Sequence, residues 1–435
     1  MVKKTQSVVK NSVWLISESI ITMVISLIIG IVSARFLGPN NYGLVNRFLP
    51  YISLANSICT FGLQSIIIKR IAQDSSEENI AAVVGSTMLF RLVLSFISII
   101  VINIYALYIA KQEDMSLLVI SVLQSISLIF NVYEILTYYF HARLQSKYIA
   151  ISTVITSVVI GCWKVILLIT KASVVWFAFS TTLQSLVQLI FNYRFFKKQF
   201  SHPLVYQGKL LKEMLGDSYH LLLASMGIAI YGQVDKIMIG NMAGNELLGI
   251  YSAAYAIATM WYFVPQAIAN SLRSRIFEES DDESAFSNNV RVLFLIITIL
   301  GICAGIGFGV IPQFLIGLLY GEQYLGGTRA LMILGWVGVF ANIGTVRSIW
   351  LVGKGLQRFS KYFTLMGALL NIILNYFLIQ KYGINGAAVS TVVSQACVQL
   401  VFPLFFADTR QVVFEYLRCP TALRRLVSLV RVMKR

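Results

Sequence analysis

The sequence predicts an all-α integral membrane protein with twelve transmembrane helices, arranged in two parallel six-helix halves around a central cavity. Three observations lead to this prediction: the apolar composition, the length of the apolar runs and an internal repeat. Of the 435 residues, 57% are hydrophobic and only 12% are charged, whereas soluble domains are about 25% charged. A water-soluble core cannot hold this much apolar surface, so the composition excludes a soluble enzyme.

Twelve apolar segments are long enough to cross a bilayer as helices, which takes about 20 residues. Hydrocarbon offers backbone amides no partner, so each spanning helix must satisfy its own hydrogen bonds. The short alternating strands of a membrane β-barrel are not seen in the sequence. The predicted spans are residues 12–34, 42–68, 82–109, 116–140, 148–170, 173–195, 214–240, 246–272, 291–319, 329–352, 359–380 and 384–406.

The 35 lysines and arginines are distributed unevenly between the two sides of these spans. By these boundaries 25 lie in or beside alternate loops that begin with the N-terminus, and five lie on the opposite side. Because positive residues favour cytoplasmic loops, we expect both termini in the cytoplasm and the protein in the bacterial cytoplasmic (inner) membrane.

An internal repeat divides the chain. Gly38 and Gly43 match Gly244 and Gly249 at an offset of 206 residues, and further matches lie in register with them. Six helices repeated as six helices keep their orientation, as in parallel transporter halves. The predicted organisation is an N-terminal half over 1–192, a cytoplasmic linker over 193–213, a C-terminal half over 214–406 and a basic cytoplasmic tail over 407–435.

The basic tail carries much of the net charge of +16. One face collects apolar residues and the arginines lie largely off it, which predicts an amphipathic helix on anionic lipid; a disordered basic tail is the alternative. This placement explains the charge without nucleic acid. The five cysteines and three histidines show no metal-ligand spacing, so no cofactor or metal is expected. The apolar face is formed by Leu423, Leu426, Val427 and Val430.

Three segments at helix ends resemble one known family. They are residues 34–43 (ARFLGPNNYG), residues 235–255, which contain DKIMIG and LGIYSAAY, and residues 382–388 (YGINGAA). Together they resemble the polysaccharide flippases (Wzx-type, O-antigen or repeat-unit transporters) of the multidrug/oligosaccharidyl-lipid/polysaccharide exporter superfamily. The resemblance extends over nearly the whole chain.

The resemblance implies a protein that moves a polyprenyl-pyrophosphate-linked oligosaccharide from the cytoplasmic to the periplasmic leaflet. Polysaccharide polymerase machinery is a candidate partner. Related lipid II flippases carry a cavity-facing arginine in an A-R-x-x-G motif at the end of the first helix. Arg35 occupies that position here.

Eight charged residues lie at least four positions from either end of a predicted span. Each would cost about 2.5–3.5 kcal/mol at the centre of a lipid-facing helix. Most must therefore pair, snorkel or face water, and five of the eight are cationic. The eight are Glu18, Arg47, Arg91, Glu134, Lys164, Asp235, Lys236 and Arg347.

The cationic residues are candidates for a pyrophosphate site, because positive groups, and the planar guanidinium above all, match phosphate oxygens. The candidate substrate-binding set is Arg35, Arg47, Arg91, Lys164, Lys236 and Arg347. The alternative for each buried cation is a structural ion pair with Glu18, Glu134 or Asp235, and for the two lysines also snorkelling.

Polar residues also recur at helical spacing in three spans, which predicts polar faces. They can line a hydrophilic cavity for sugar hydroxyls or join helices to one another. The candidate sugar contacts are Gln124 and Asn131 in the fourth span and Gln184 and Gln188 in the sixth.

No phosphate-binding loop of the ATPase type occurs in the sequence, so the energy source is expected to be an ion gradient or the membrane potential. Glu18, Glu134 and Asp235 are the candidates for carrying a coupling proton or sodium ion. The main alternative function is a multidrug or cation antiporter of the same fold, which would favour an acidic cavity. A membrane glycan polymerase or ligase would need larger outer loops than this sequence provides.

Overall fold

The computed structural model describes residues 2–278 and 282–423, and within them the backbone is helical with no strand. The predicted all-α class is therefore confirmed. The amphipathic helix predicted around Leu426, Val427 and Val430 falls on residues 424–435, outside the described part of the chain. The first nine helices are α1 (Val2–Asn46), α2 (Leu49–Thr60), α3 (Gln64–Gln73), α4 (Glu77–Ala110), α5 (Ser116–Ser125), α6 (Ser127–Phe130), α7 (Tyr133–Ala142), α8 (Ser146–Ile169) and α9 (Val174–Gln199).

The second part of the chain includes one π-helical segment, Cys397–Val401, which directly follows the helix Ile384–Ala396. Short 3-10 segments precede the helices that begin at Phe263, Thr328 and Ser360, and others flank the helix Arg410–Leu417. The helices are α10 (Gly208–Thr259), α11 (Phe263–Glu278), α12 (Glu283–Val310), α13 (Pro312–Tyr320), α14 (Thr328–Leu334), α15 (Val337–Gly353), α16 (Ser360–Tyr382), α17 (Ile384–Ala396) and α18 (Arg410–Leu417).

Many of these helices present apolar side chains outward, as a protein surrounded by lipid does. Ile100, Val101 and Ile104 of α4 are about 60% exposed. Nine helical stretches of the described residues are long and apolar enough to cross a membrane, and a tenth is counted when the bent pair Glu322–Leu334 and Val337–Gly353 forms one span. The chain is thus a multi-pass membrane protein.

The count differs from the twelve predicted spans because two stretches are very long. Ser17–Gln73 has 57 residues and Gly208–Glu278 has 71, and each contains two of the predicted spans. Since one crossing takes about 20 residues, either stretch has enough chain for two crossings. Twelve helices in two halves remains a prediction.

Both long stretches break at a glycine of the predicted repeat. Gly38 interrupts α1 with φ 73° and ψ 168°, and Gly244 interrupts α10 with φ 86° and ψ 177°. This region of backbone space is essentially restricted to glycine. The two glycines matched at an offset of 206 therefore have the same backbone conformation.

The chain forms two compact units, Met1–Ala229 and Ile230–Arg435. In the first, apolar clusters join α3, α4 and α7 and, separately, α2, α4 and α5. In the second, the largest cluster joins α12, α15 and the chain around α18. The boundary between the units lies inside α10, and the organisation into 1–192, 193–213, 214–406 and 407–435 stays a prediction.

Candidate functional site

The first unit contains a buried ion pair. Arg91 of α4 is 2% exposed, and its guanidinium lies 3.1 Å from the Glu134 carboxylate of α7. Asn56 of α2 accepts a hydrogen bond from Arg91 at 2.9 Å and donates one to Glu134 at 3.1 Å. Tyr138 also donates to Glu134, at 3.1 Å. For Arg91, the structure therefore has the ion pair with Glu134 that was the alternative to a ligand role.

Asn131 extends this network toward α9. Its side-chain amide donates to Asn56 at 3.2 Å, and its carbonyl oxygen accepts from the Ser185 hydroxyl at 2.7 Å. The predicted polar face of the fourth span thus brings Asn131 and Glu134 into one cluster. We call Asn56, Arg91, Asn131, Glu134, Tyr138 and Ser185 the N-terminal cluster.

Two other predicted sugar contacts join helices. Gln124 is fully buried and donates to the Val45 carbonyl at 2.8 Å, near the end of α1. Gln188 donates to the hydroxyls of Ser152 and Thr153 on α8, at 3.0 and 3.3 Å. In this conformation both side chains connect helices, which is the alternative role for such polar faces.

Gln184 and Lys164 lie together at a small cavity of about 80 Å³. Ser26 of α1 and Ser157 of α8 also line it, so polar residues predicted on the first and sixth spans do meet. Lys164 has no carboxylate within ion-pair distance among the described residues.

Arg47 is also 2% exposed and pairs with Glu113, in the segment between α4 and α5, at 3.1 Å. Glu113 was not among the predicted partners, because it lies outside the predicted spans. Arg35 is exposed, three residues before the break at Gly38. Glu18 is half-buried and lines an apolar cleft of about 210 Å³ between α1 and α8.

The second unit buries a carboxylate among neutral polar groups. Asp235 of α10 is 6% exposed. The Tyr251 hydroxyl donates to it at 2.9 Å, the Asn375 amide at 2.7 Å, and the Thr391 hydroxyl also donates to it. Asn375 donates in addition to the Asn371 carbonyl oxygen at 3.0 Å. We call Asp235, Tyr251, Asn371, Asn375 and Thr391 the Asp235 cage.

No lysine or arginine of the described residues lies within ion-pair distance of Asp235. Its sequence neighbour Lys236 instead places its ammonium 5.0 Å from the centre of the Tyr255 ring. The cage therefore places a single carboxyl group among neutral hydroxyls and amides. Groups of three or more His, Cys, Asp or Glu that could hold a metal are absent from the described ranges.

Arg347 of α15 is 7% exposed and also has no carboxylate partner in residues 2–278 and 282–423. It donates to the Val398 carbonyl of the π-helical segment and lies 4.9 Å from the centre of the Phe363 ring. The second unit thus contains a buried anion and a buried cation that do not pair with each other.

Comparison with protein families decides the affiliation of the chain. The family model described as polysaccharide biosynthesis protein matches residues 8–274, more than half of the sequence. The chain belongs to this family. A second model, MatE, matches residues 221–377. The resemblance to the polysaccharide flippases of the exporter superfamily is confirmed.

Individual relatives agree with this assignment. The capsular polysaccharide biosynthesis protein CapF of Staphylococcus aureus is 22% identical over 92% of this chain and 99% of CapF. The probable low-salt glycan biosynthesis flippase Agl15 of Haloferax volcanii is 23% identical over 48% of this chain, which is 44% of Agl15. The solved lipid II flippase MurJ, in an inward closed conformation, superposes with a TM-score of 0.72 at 14% identity, over 94% of this chain and 91% of MurJ. CapF and Agl15 are both named for glycan biosynthesis, and the chain shares the fold of MurJ.

Proposed function

We propose that this protein flips a polyprenyl-pyrophosphate-linked oligosaccharide from the cytoplasmic to the outer leaflet of the membrane by alternating access. The observation that carries the proposal is a set of buried or partly buried cations in the predicted spans that have no carboxylate at ion-pair distance. Within the described residues, Arg347, Lys164 and Lys236 have none at ion-pair distance. A pyrophosphate supplies the negative charge that such groups need.

A deletion strain complemented with variants tests this function. Without the protein, lipid-linked oligosaccharide should accumulate where a membrane-impermeant periodate treatment cannot oxidise it. Arg347→Met should restore no more than about one tenth of wild-type export, because a charge-assisted contact to phosphate is lost. Lys164→Met and Lys236→Met should have smaller effects, since an ammonium makes a single-point contact.

Arg358→Ala is the matched control, since Arg358 is 70% exposed and forms an ion pair at 3.6 Å with the exposed Asp408. Protein amounts in the membrane must be equal across the strains. Full export by Arg347→Met and by both lysine variants would refute the proposed substrate site. Accumulation of fully accessible oligosaccharide in the deletion strain would refute flipping itself.

We further propose that a cation bound by the Asp235 cage couples transport to an ion gradient. The cage combines one carboxyl group with the hydroxyls of Tyr251 and Thr391 and the side-chain amides of Asn371 and Asn375. Asn375 now turns its amide nitrogen toward Asp235, so this amide would rotate to offer its oxygen to a bound cation. Such hard oxygen donors around a single negative charge suit a monovalent cation. A proton would need the carboxylate alone, so the additional oxygens favour sodium over the proton.

Thermal unfolding of the purified protein at constant pH distinguishes the two ions. Sodium should raise the midpoint relative to choline at equal ionic strength, and Asp235→Asn should abolish this effect. Glu18→Gln is the control, because the cleft beside Glu18 is lined mainly by apolar side chains of the described residues. A midpoint that responds to pH but not to sodium would leave the proton as the coupling ion.

The alternative function, a multidrug or cation antiporter, is favoured by the MatE match over residues 221–377 and by the buried acid within that region. It predicts that the deletion changes resistance to cationic drugs and leaves lipid-linked oligosaccharide distributed as in the wild type. The opposite result supports the flippase.

A further inference from the structure

Arg347 is held in place by a backbone carbonyl that an ordinary α-helix would not offer. Its guanidinium donates to Val398, the second residue of the π-helical segment Cys397–Val401. The wider turn of a π-helix displaces carbonyls from the i→i−4 ladder, and such segments are frequent at functional sites. With the Phe363 ring on another side and only 7% of the residue exposed, Arg347 must move before an anion can bind two of its N–H groups.

Two glycines allow the π-helical segment to lie this close to its neighbours. A Cβ added to Gly344 of α15 would come within 2.9 Å of the Gln399 amide. A Cβ added to Gly367 of α16 would come within 2.2 Å of the Val398 side chain. Because real Cβ contacts are never this short, the position of the Val398 carbonyl depends on how closely α15, α16 and the π-helical segment approach each other.

The same helices build the Asp235 cage. Asn371 and Asn375 lie on α16, and Thr391 lies on α17, just before the π-helical segment. A cation that draws the oxygens of these residues toward Asp235 would hold α16 and α17 together. The separation that fixes the Val398 carbonyl is therefore set partly by the cage.

Tyr231 connects the two places directly. It lies one helical turn before Asp235 on α10, and its ring is 3.5 Å from where a Cβ on Gly367 would be. Its hydroxyl is buried with no hydrogen-bond partner among the described residues. A buried hydroxyl without a partner is unfavourable, so this group is suited to gain a partner in another conformation.

We propose that Tyr231 and the π-helical segment are positioning elements that make the anion-binding ability of Arg347 depend on the Asp235 cage. A cation in the cage holds Arg347 on the Val398 carbonyl. When the cage empties, α16 and α17 separate slightly. Arg347 then leaves the Val398 carbonyl and binds the pyrophosphate. The Tyr231 hydroxyl accepts a hydrogen bond from an Arg347 N–H group that this movement would otherwise leave unpaired. This inference rests on the proposed function, and it predicts that cation and anion exclude each other.

The sign of the effect separates this mechanism from simple electrostatics. A cation near Arg347 adds positive charge, so through space alone it would strengthen the binding of an anion. The mechanical link predicts the opposite, because the cation keeps Arg347 occupied. Linkage requires that each ligand changes the affinity of the other by the same factor.

The test measures binding of inorganic pyrophosphate to the purified full-length protein by calorimetry, in sodium or choline chloride at an ionic strength of about 0.1 M. Sodium should weaken pyrophosphate binding about tenfold. Tyr231→Phe keeps the ring against Gly367 and removes the hydroxyl; it should bind each ligand alone within about threefold of wild type, while the coupling falls below about threefold. Tyr262→Phe is the matched control, because its hydroxyl is also buried without a described partner, and it should keep the full coupling.

Three results would overturn the inference: sodium strengthening pyrophosphate binding, sodium leaving it unchanged, or Tyr231→Phe retaining the full coupling. Each can occur while sodium still binds Asp235 and pyrophosphate still requires Arg347, in which case the proposed function stands. Failure of the proposed function would give a different result: the wild-type protein would bind neither sodium through Asp235 nor pyrophosphate through Arg347. If Tyr231→Phe unfolds, Val398→Ala, which loosens the packing against Gly367 and keeps the backbone carbonyl, gives a second measurement of the coupling.

Discussion

The N-terminal cluster and the Asp235 cage are built from similar residues but differ in their charge balance. Each holds a buried ionised side chain, and each surrounds it with asparagine, tyrosine and hydroxyl groups. In the N-terminal cluster, Arg91 and Glu134 lie 3.1 Å apart, so the two charges compensate each other. In the cage, the hydrogen-bond partners of Asp235 are all neutral, so its carboxyl group, when ionised, has no ion-pair partner among the described residues.

This difference in charge balance indicates a structural role for the N-terminal cluster and an ion-binding role for the Asp235 cage. A compensated ion pair at membrane depth needs no additional ion to balance its charges. Removing one partner leaves the other as a buried charge without a counter-charge. An uncompensated carboxylate with several oxygens around it is costly until an ion arrives. Removing one charge should therefore harm the first site and relieve the second.

The largest effect is expected from Glu134→Gln. Glutamine can still bond to Asn56, but the buried guanidinium of Arg91 loses its counter-charge. The free energy of unfolding should fall by about 3–5 kcal/mol, measured by denaturant unfolding in detergent micelles. The double variant Arg91→Met, Glu134→Gln should recover most of this loss, and a single variant as stable as wild type would contradict the compensated-pair interpretation.

Asp235→Asn should change the protein in the opposite direction. In sodium-free buffer its stability should equal or exceed that of wild type, because a buried charge is removed. Its affinity for sodium should fall by about 100-fold or more, since the only ionised ligand is lost. Binding of radioactive sodium and thermal unfolding measure the two effects; a variant destabilised like Glu134→Gln would place the two sites in the same class.

Gly244→Ala sharpens the comparison between the two units at their matched break points. A Cβ at Gly244 would meet nothing within 4 Å, so its cost of about 1–3 kcal/mol would come from the backbone conformation alone. Gly38→Ala should cost a similar amount, since its φ and ψ are nearly the same. Gly307→Ala, at an α-helical glycine with equally open space, should be neutral or slightly stabilising; equal losses in all three would exclude the conformational explanation.

The smallest effect is expected from Glu113→Gln. Glu113 is 41% exposed, and water screens its pair with Arg47, so the loss of stability should be about 1 kcal/mol or less. Comparison of its unfolding curve with that of Glu134→Gln isolates the contribution of burial. A loss as large as that of Glu134→Gln would show that exposure of the carboxylate does not decide the strength of these pairs.

The sequence predicted part of each site by a different signal. Helical spacing placed Asn131 on a polar face of the fourth span, and a charge inside a span singled out Glu134 and Asp235. Asn56 was missed because its partners Arg91 and Glu134 lie 35 and 78 positions away along the chain, where no local pattern reveals a contact. The cage partners Asn371 and Asn375 carried a usable signal, an amide pair four residues apart in an apolar span, whereas Tyr251 and Thr391 resemble ordinary residues of their segments.

Composition and segment length by themselves determined that this chain is a helical membrane protein, because hydrocarbon penalises exposed amides and charges wherever the chain folds. The matched glycines predicted an internal repeat, and the structure then showed that both adopt the same backbone conformation. Only the tertiary structure decided which charges pair: Arg91 forms an ion pair with Glu134, whereas Asp235 and Arg347 do not pair with each other. The physical reason is that an ion pair acts over a few ångströms between helices distant in sequence, and helix packing alone sets which side chains come that close.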